Sequence, residues 1–299
     1  MHSMPRTDLA TELREIAEER SAEIPGVRSE ETEREGFMVN RVEILDPRGE
    51  EAIGKPVGRY VTIDWTGLLI REQDGFTRAV RALAAELSEL LPEDEERTVL
   101  VAGLGNRFIT PDAVGPKAME HILVTRHLVD QMPKIFGSFA RTAAVAPGGL
   151  GLTGVETGEI IRGIVDRVKP SVVIAIDALA ARRVERLCRT VQLADSGIVP
   201  GAGVGNTRYA LNEESLGVPV IALGVPTVVD AMTLLRDQAE SAGVSLPHLE
   251  PPTEENKSLI VTPKDIDRMI ADSAKTIGYG INLALNPELS MSDMEMLLS

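Results

Sequence analysis

A chain of 299 residues, 43 % apolar and 26 % charged, is long enough to bury a large core and polar enough to stay in water. Its formal charge of −15 argues against a grip on nucleic-acid phosphates, which needs clustered Lys and Arg. The single Cys188 excludes an intramolecular disulfide or a multi-cysteine metal site.

The elements follow in chain order. Residues 8–36, "DLATELREIAEERSAEIPGVRSEETEREG", form a charged leader region whose first half reads as an exposed helix stopped by Pro25-Gly26. "MVNRVEIL" (38–45) and "RYVTIDW" (59–65) alternate as half-buried strands do, and "GFTRAVRALAAELSELL" (75–91) has helical spacing. "TVLVAGLG" (98–105) predicts a strand, "GPKAMEHILVTRHLVDQM" (115–132) a helix, and "TGEIIRGIVDRVK" (157–169) another. "PSVVIAIDAL" (170–179) predicts a strand, "ALAARRVERLCR" (178–189) a helix, and "TVQLAD" (190–195) and "VPVIALGVP" (218–226) strands. "VVDAMTLLRDQAESAG" (228–243) and "PKDIDRMIADSAKTIGYGINLAL" (263–285) predict helices ahead of a Met-rich tail. Strands alternating with helices indicate one α/β domain, a mainly parallel or mixed sheet with helices on both faces. No apolar run is as long as a membrane span, and the polar N-terminus is unlike a secretory signal, so a cytoplasmic protein is expected.

In open α/β sheets ligands collect at the carboxyl ends of strands. Three stretches there each deliver an aspartate: "GLGNRFITPD" (Asp112), "AIDALAARR" (Asp177) and "GVPTVVDA" (Asp230). Each has a structural reading as a helix cap. Asp112 and Asp177 together suggest two carboxylates sharing one proton, an acid and a base for activating water; Asp230 is the weaker candidate. The glycine loops "GLGN" (Gly103, Gly105, Asn106) and "PGAGVGN" (Gly201, Gly203, Gly205, Asn206) offer backbone amides for an oxyanion, an anion or an extended peptide. Neither is a dinucleotide fingerprint or a P-loop. His121 and His127, six apart on one predicted helix, are not metal-ligand spaced, no HExxH occurs, and Cys188 reads as a buried structural thiol.

"RTDLATE", "GLGNRFITPDAVGP", "IAIDALAAR", "DSGIVPGAGVGN" and "GVPTVVDA" together resemble the germination proteases of spore-forming Gram-positive bacteria, endopeptidases that degrade small acid-soluble spore proteins. The resemblance, in that family's motif order, implies the α/β fold of hydrogenase maturation proteases (phosphorylase/hydrolase-like). It implies an atypical aspartic endopeptidase with its catalytic pair at Asp112 and Asp177 and neither cofactor nor metal. It also implies a homotetramer in the cytoplasm of the forespore or spore core, with no membrane or direct nucleic-acid partner. The family is made as a self-processing zymogen and cuts after acidic, apolar, alanine. Asp8-Leu9-Ala10 has that order in an accessible, charged leader, so self-cleavage is expected between Ala10 and Thr11. Residues 1–10 would be a propeptide, shorter than the family's usual leader, and residues 11–299 the peptidase domain, with Met4 the natural start and Met1 to Ser3 a remnant. The readings to set against it are a metal-dependent hydrolase using the same aspartates and a non-catalytic anion-binding module.

Overall fold

The longest apolar runs become the middle of a sheet. A computed structural model describes residues 7–19, 24–69, 74–93, 98–201, 209–244 and 259–298. Among them nine strands form one mixed sheet: β1 (Val27–Arg34), β2 (Phe37–Ile44), β3 (Gly58–Asp64), β4 (Thr98–Gly103), β5 (Arg141–Val145), β6 (Val172–Ala181), β7 (Thr190–Ala194), β8 (Val220–Asp230) and β9 (Ile260–Val261). Their order is β1-β2-β3-β7-β8-β6-β4-β5, with β9 pairing the end of β8. The strands β8, β6, β4 and β5 run parallel, while β1, β2, β3, β7 and β8 pair antiparallel in turn.

Alternation along the central strands splits their side chains between two layers, as the two-residue period requires. Val99, Val101, Ile174 and Ile176 join the core under helices Gly75–Leu90 and Ile266–Leu285. Leu100, Ala102, Val173 and Ala175 pack with Ile161 and Val165 of helix Thr157–Val168 on the other face. Helices therefore cover both faces, as expected.

Four expectations need correction. The segment 178–189 is not a helix. Its Ala, Leu and Arg content favours one, but β6 stays paired with β8 through Ala181, shifting register between Leu179 and Ala180. A 3-10 turn at Val184–Arg186 follows, and Cys188 takes φ +56°. The helix predicted over 115–132 is broken into Val114–Ala118, a 3-10 turn Met119–His121 and Arg126–Gln131. The side chain of Asn282 holds the break open, donating to the His121 carbonyl at 2.8 Å and accepting from the Leu123 amide at 2.9 Å. His121 and His127 thus share no helix.

The region 8–36 is not simply solvated. Its first half is a helix, Ala10–Glu18, with Ala10, Thr11, Glu12 and Ile16 buried. Its last part, "VRSEETER", is β1, paired with β2 through eight residues. That strand looks like a charge run because it is a mostly exposed edge, where charges discourage pairing with other chains.

Candidate active site

Glycine packing brings the two candidate aspartates to one place. Gly103 closes β4 opposite Ile176 of β6, and the Leu104 amide then donates to the Ile176 carbonyl at 2.8 Å. Asp177 is the next residue of β6, at the carboxyl end of the β4 pairing. On the other arm, helix Val114–Ala118 lies directly against these strand exits because Gly115 has no side chain. A Cβ there would sit 2.5 Å from the Ile176 carbonyl oxygen and 2.6 Å from the Leu104 nitrogen.

The turn ahead of that helix carries Asp112 in the short 3-10 segment Thr110–Asp112. Gly105, at φ +102°, lets the chain fold back upon it; a Cβ there would meet the Asp112 carbonyl and lie 2.8 Å from its Oδ1. The Asn106 amide donates to both the Asp112 carboxylate (2.9 Å) and the Asp112 carbonyl (3.0 Å). From β8, the Thr227 hydroxyl donates to the Pro111 carbonyl at 2.7 Å, tying the turn to the sheet.

Asp112 and Asp177 line the same cleft, of about 610 Å³, with Gly105, Asn106, Gly201 and Thr227 among its other walls. Asp177 is 5 % exposed, and its Oδ1 accepts from the Ala178 amide at 2.9 Å. Neither aspartate has the capping role that each alone suggested. Helix Val114–Ala118 has no side-chain cap, and Asp177 lies within a strand. Asp230 does cap: its carboxylate accepts from the Thr233 amide at 3.0 Å and begins helix Ala231–Ser241.

A third carboxylate reaches the cleft from the N-terminal segment. Asp8 lines it, and also lines an adjoining cavity of about 210 Å³ that shares Asp177 and Gly201. The Asp8 amide donates to the Ala180 carbonyl at 2.9 Å, and the Ala180 amide donates to the Asp8 carboxylate at 2.9 Å. Gln192 of β7 reads the same segment with its side-chain amide: Nε2 donates to the Asp8 carbonyl (3.2 Å) and Oε1 accepts from the Ala10 amide (2.7 Å). Leu9 is fully buried among Leu179, Ala181, Leu187 and Val229. Beyond it, the buried Glu12 carboxylate accepts from the Arg182 and Arg183 amides at 2.6 and 3.0 Å and from the Thr7 hydroxyl. Burial pushes the Glu12 pKa up, against those hydrogen bonds and Arg186. The expected cleavage bond is therefore not accessible: Ala10 is 0 % and Thr11 4 % exposed, at the first turn of a helix.

A family model described as germination protease matches residues 4–250. The chain belongs to the germination protease family. The germination protease of Caldanaerobacter subterraneus subsp. tengcongensis is 49 % identical, with 98 % of each chain covered. That of Clostridium perfringens is 45 % identical over 98 % of this chain and 99 % of its own. A NiFe hydrogenase maturation protease, HycI from Thermococcus kodakarensis KOD1, aligns over 67 % of this chain and 98 % of its own at 16 % identity, with a TM-score of 0.37. The chain is thus a peptidase of spore germination, acting on proteins. None of its helices, among the described residues, is long and apolar enough to cross a membrane.

The remaining expectations divide. Gly105, Asn106 and Gly201 do line the cleft, whereas Gly103 lies beneath it against Gly115. The Asn106 amide is committed to Asp112 rather than turned to a ligand. Gly203, Gly205 and Asn206 lie outside the described residues, as do Met1 to Met4. Cys188 is buried, and burial pushes its thiol up to about 12, which fits a structural role. Sequence reading gave no role to Gln192, Thr227 or Gly115, although Gln192 is the polar residue inside an apolar strand, "TVQLA", and the other two fall within quoted motifs.

Proposed function

We propose that this chain is an endopeptidase of small acid-soluble spore proteins in which Asp112 and Asp177 activate water. The reading is carried by one observation: two carboxylates remote in sequence line a single cleft, one from the turn after β4 and one from within the neighbouring β6, in a close approach that Gly105 and Gly115 permit. Two carboxylates that share one proton divide the work, the ionised one taking a proton from the attacking water and the protonated one supplying a proton to the departing amine. The Asn106 amide and the Thr227 hydroxyl position Asp112 for this, the first through its carboxylate and the second through the preceding carbonyl.

In the same reading the chain is a zymogen that cuts itself between Ala10 and Thr11, and the Thr7–Ala10 segment, lying in the groove beside Asp177, is what keeps it silent. Because Ala10 and Thr11 are buried in a helical first turn, processing requires that turn to unwind, since peptidases take up extended chain. Homotetramer assembly and residence in the forespore or spore core belong to this proposal through the family resemblance.

The test is leader removal and digestion of an acid-soluble spore protein by Asp112→Asn and Asp177→Asn chains. Both activities are expected to vanish while the circular dichroism spectrum and melting temperature stay near those of the parent. N-terminal sequencing of the matured parent is expected to read Thr-Glu-Leu. Processing by either variant would end the dyad assignment.

A further inference from the structure

The Thr7–Ala10 segment is held in a way that does not depend on its being the chain's own. Gln192 takes the main chain of residues 8 and 10 at once, through Oε1 and Nε2 of a single amide. Ala180 supplies a backbone rung to residue 8. Such main-chain contacts accept any extended peptide, and choice among peptides then falls to the side-chain pockets. Two pockets are present. One is the apolar socket of Leu179, Ala181, Leu187 and Val229, which encloses Leu9 completely. The other is the cavity beside Asp8, lined by Lys55, Tyr60 and Asn212.

Lys55 is the one cationic side chain lining either cavity among the described residues. Asp112, Asp177 and the Asp8 site all bear carboxylates, so an acidic side chain entering this groove meets repulsion from two of them. An ammonium beside the Asp8 position offsets that repulsion and penalises a basic residue in its place. Burial pushes the Lys55 pKa down and the Asp8 carboxylate pushes it up, so a carboxylate at the Asp8 position favours the charged ammonium.

We infer that the groove filled by Thr7–Ala10 is the substrate groove, and that Lys55 selects an acidic side chain in the substrate directly ahead of an apolar one. This rests on the peptidase reading with Asp112 and Asp177. It adds the residues that recognise the peptide: Lys55 together with the Ala180 amide for the acid, the Leu9 socket for the apolar side chain, and Gln192 for the main chain. Gln192, Gly224 and Asp177 lie in register on β7, β8 and β6. Leu179 packs over Gly224, where a Cβ would come within 2.4 Å of its side chain, so the glycine makes room for one wall of the Leu9 socket.

The experiment uses the full chain allowed to mature and three peptides of sequence X-Leu-Ala-Thr-Glu, flanked identically, with X as Asp, Asn or Lys. For the parent, kcat/KM is expected to fall roughly tenfold or more from Asp to Asn, the worth of a hydrogen bond to a charged group, and further to Lys. Lys55→Met, which keeps the stem and drops the charge, is expected to bring the Asp peptide down toward the Asn peptide, leaving only the preference that the Ala180 amide supplies. Lys55→Glu is expected to favour the Lys peptide. A folded Lys55→Met or Lys55→Glu enzyme that still prefers Asp as strongly as the parent overturns the assignment. If the parent cuts none of the peptides, or Asp177→Asn cuts them all, the peptidase reading has failed rather than the role of Lys55.

Discussion

Gly105 is where a single methyl group should separate folding from catalysis. In Gly105→Ala the new Cβ would meet the Asp112 carbonyl and lie 2.8 Å from Oδ1 and 3.2 Å from Cγ of that aspartate. Ordinary contact begins near 3.4 Å, so the Asp112 turn has to retreat by about 1 Å, and the paired hydrogen bonds from Asn106 lengthen with it. A displacement of that size at a reacting group costs on the order of 100-fold, about 2.7 kcal/mol of barrier. The positive φ of +102° adds backbone strain of about 1 kcal/mol, and overpacking brings the total stability loss to about 1–3 kcal/mol. Digestion of an acid-soluble spore protein by the matured variant is the assay, with thermal melting alongside. Gly217→Ala is the matched control: it too has a positive φ, +73°, but nothing lies within 4 Å of its Cβ, so it should lose stability and keep activity. Full activity in Gly105→Ala, or an equal loss in Gly217→Ala, would refute the placement of Asp112 by this turn.

Cys188 should stay unreactive toward a disulfide-exchange reagent at pH 8 until denaturant is added, because a thiol pushed up to about 12 is ionised in roughly one molecule in ten thousand there. Fast labelling of the folded chain would contradict its burial. The Glu12 pKa is raised in the folded chain above its model-compound value of 4.5, so its contribution to stability is present below that pH and fades as pH rises through the folded value. The melting-temperature difference between Glu12→Gln and the full-length parent should therefore move in favour of Gln from pH 4 to pH 8, and a flat or opposite trend would contradict the assignment.

How much of this was legible depends on what each residue answers to. The central strands were readable because β4, β6 and β8 are buried on both sides, which demands unbroken apolar runs such as "TVLVA" and "VVIAI". The aspartates were readable because they follow those runs. The end of β6 was not: "ALAARRVERL" has helical composition, and only pairing with β8 and with the N-terminal segment keeps it extended to Ala181. The break after His121 depends on Asn282, more than 150 positions away, which no local pattern reveals. The exposed edge strand β1 and the charged leader share one composition, so charge alone could not separate a strand from a solvated tail. The two glycines of "GLG" read as a loop cradle in the sequence, whereas Gly103 packs against Gly115 and Gly105 against Asp112, setting how closely the chain segments approach.

The occupied groove also bears on the direction of events. While Thr7–Ala10 remains continuous with the helix that follows it, the segment meets its sockets at an effective concentration in the ~millimolar range or above. Once severed at Ala10, the same few residues would become a dilute solute, on the order of a thousandfold scarcer at the groove. One leucine socket and a handful of hydrogen bonds do not retain a severed segment against that drop. Breaking one bond would thus empty the groove for good, a ratchet that needs no separate device to prevent return.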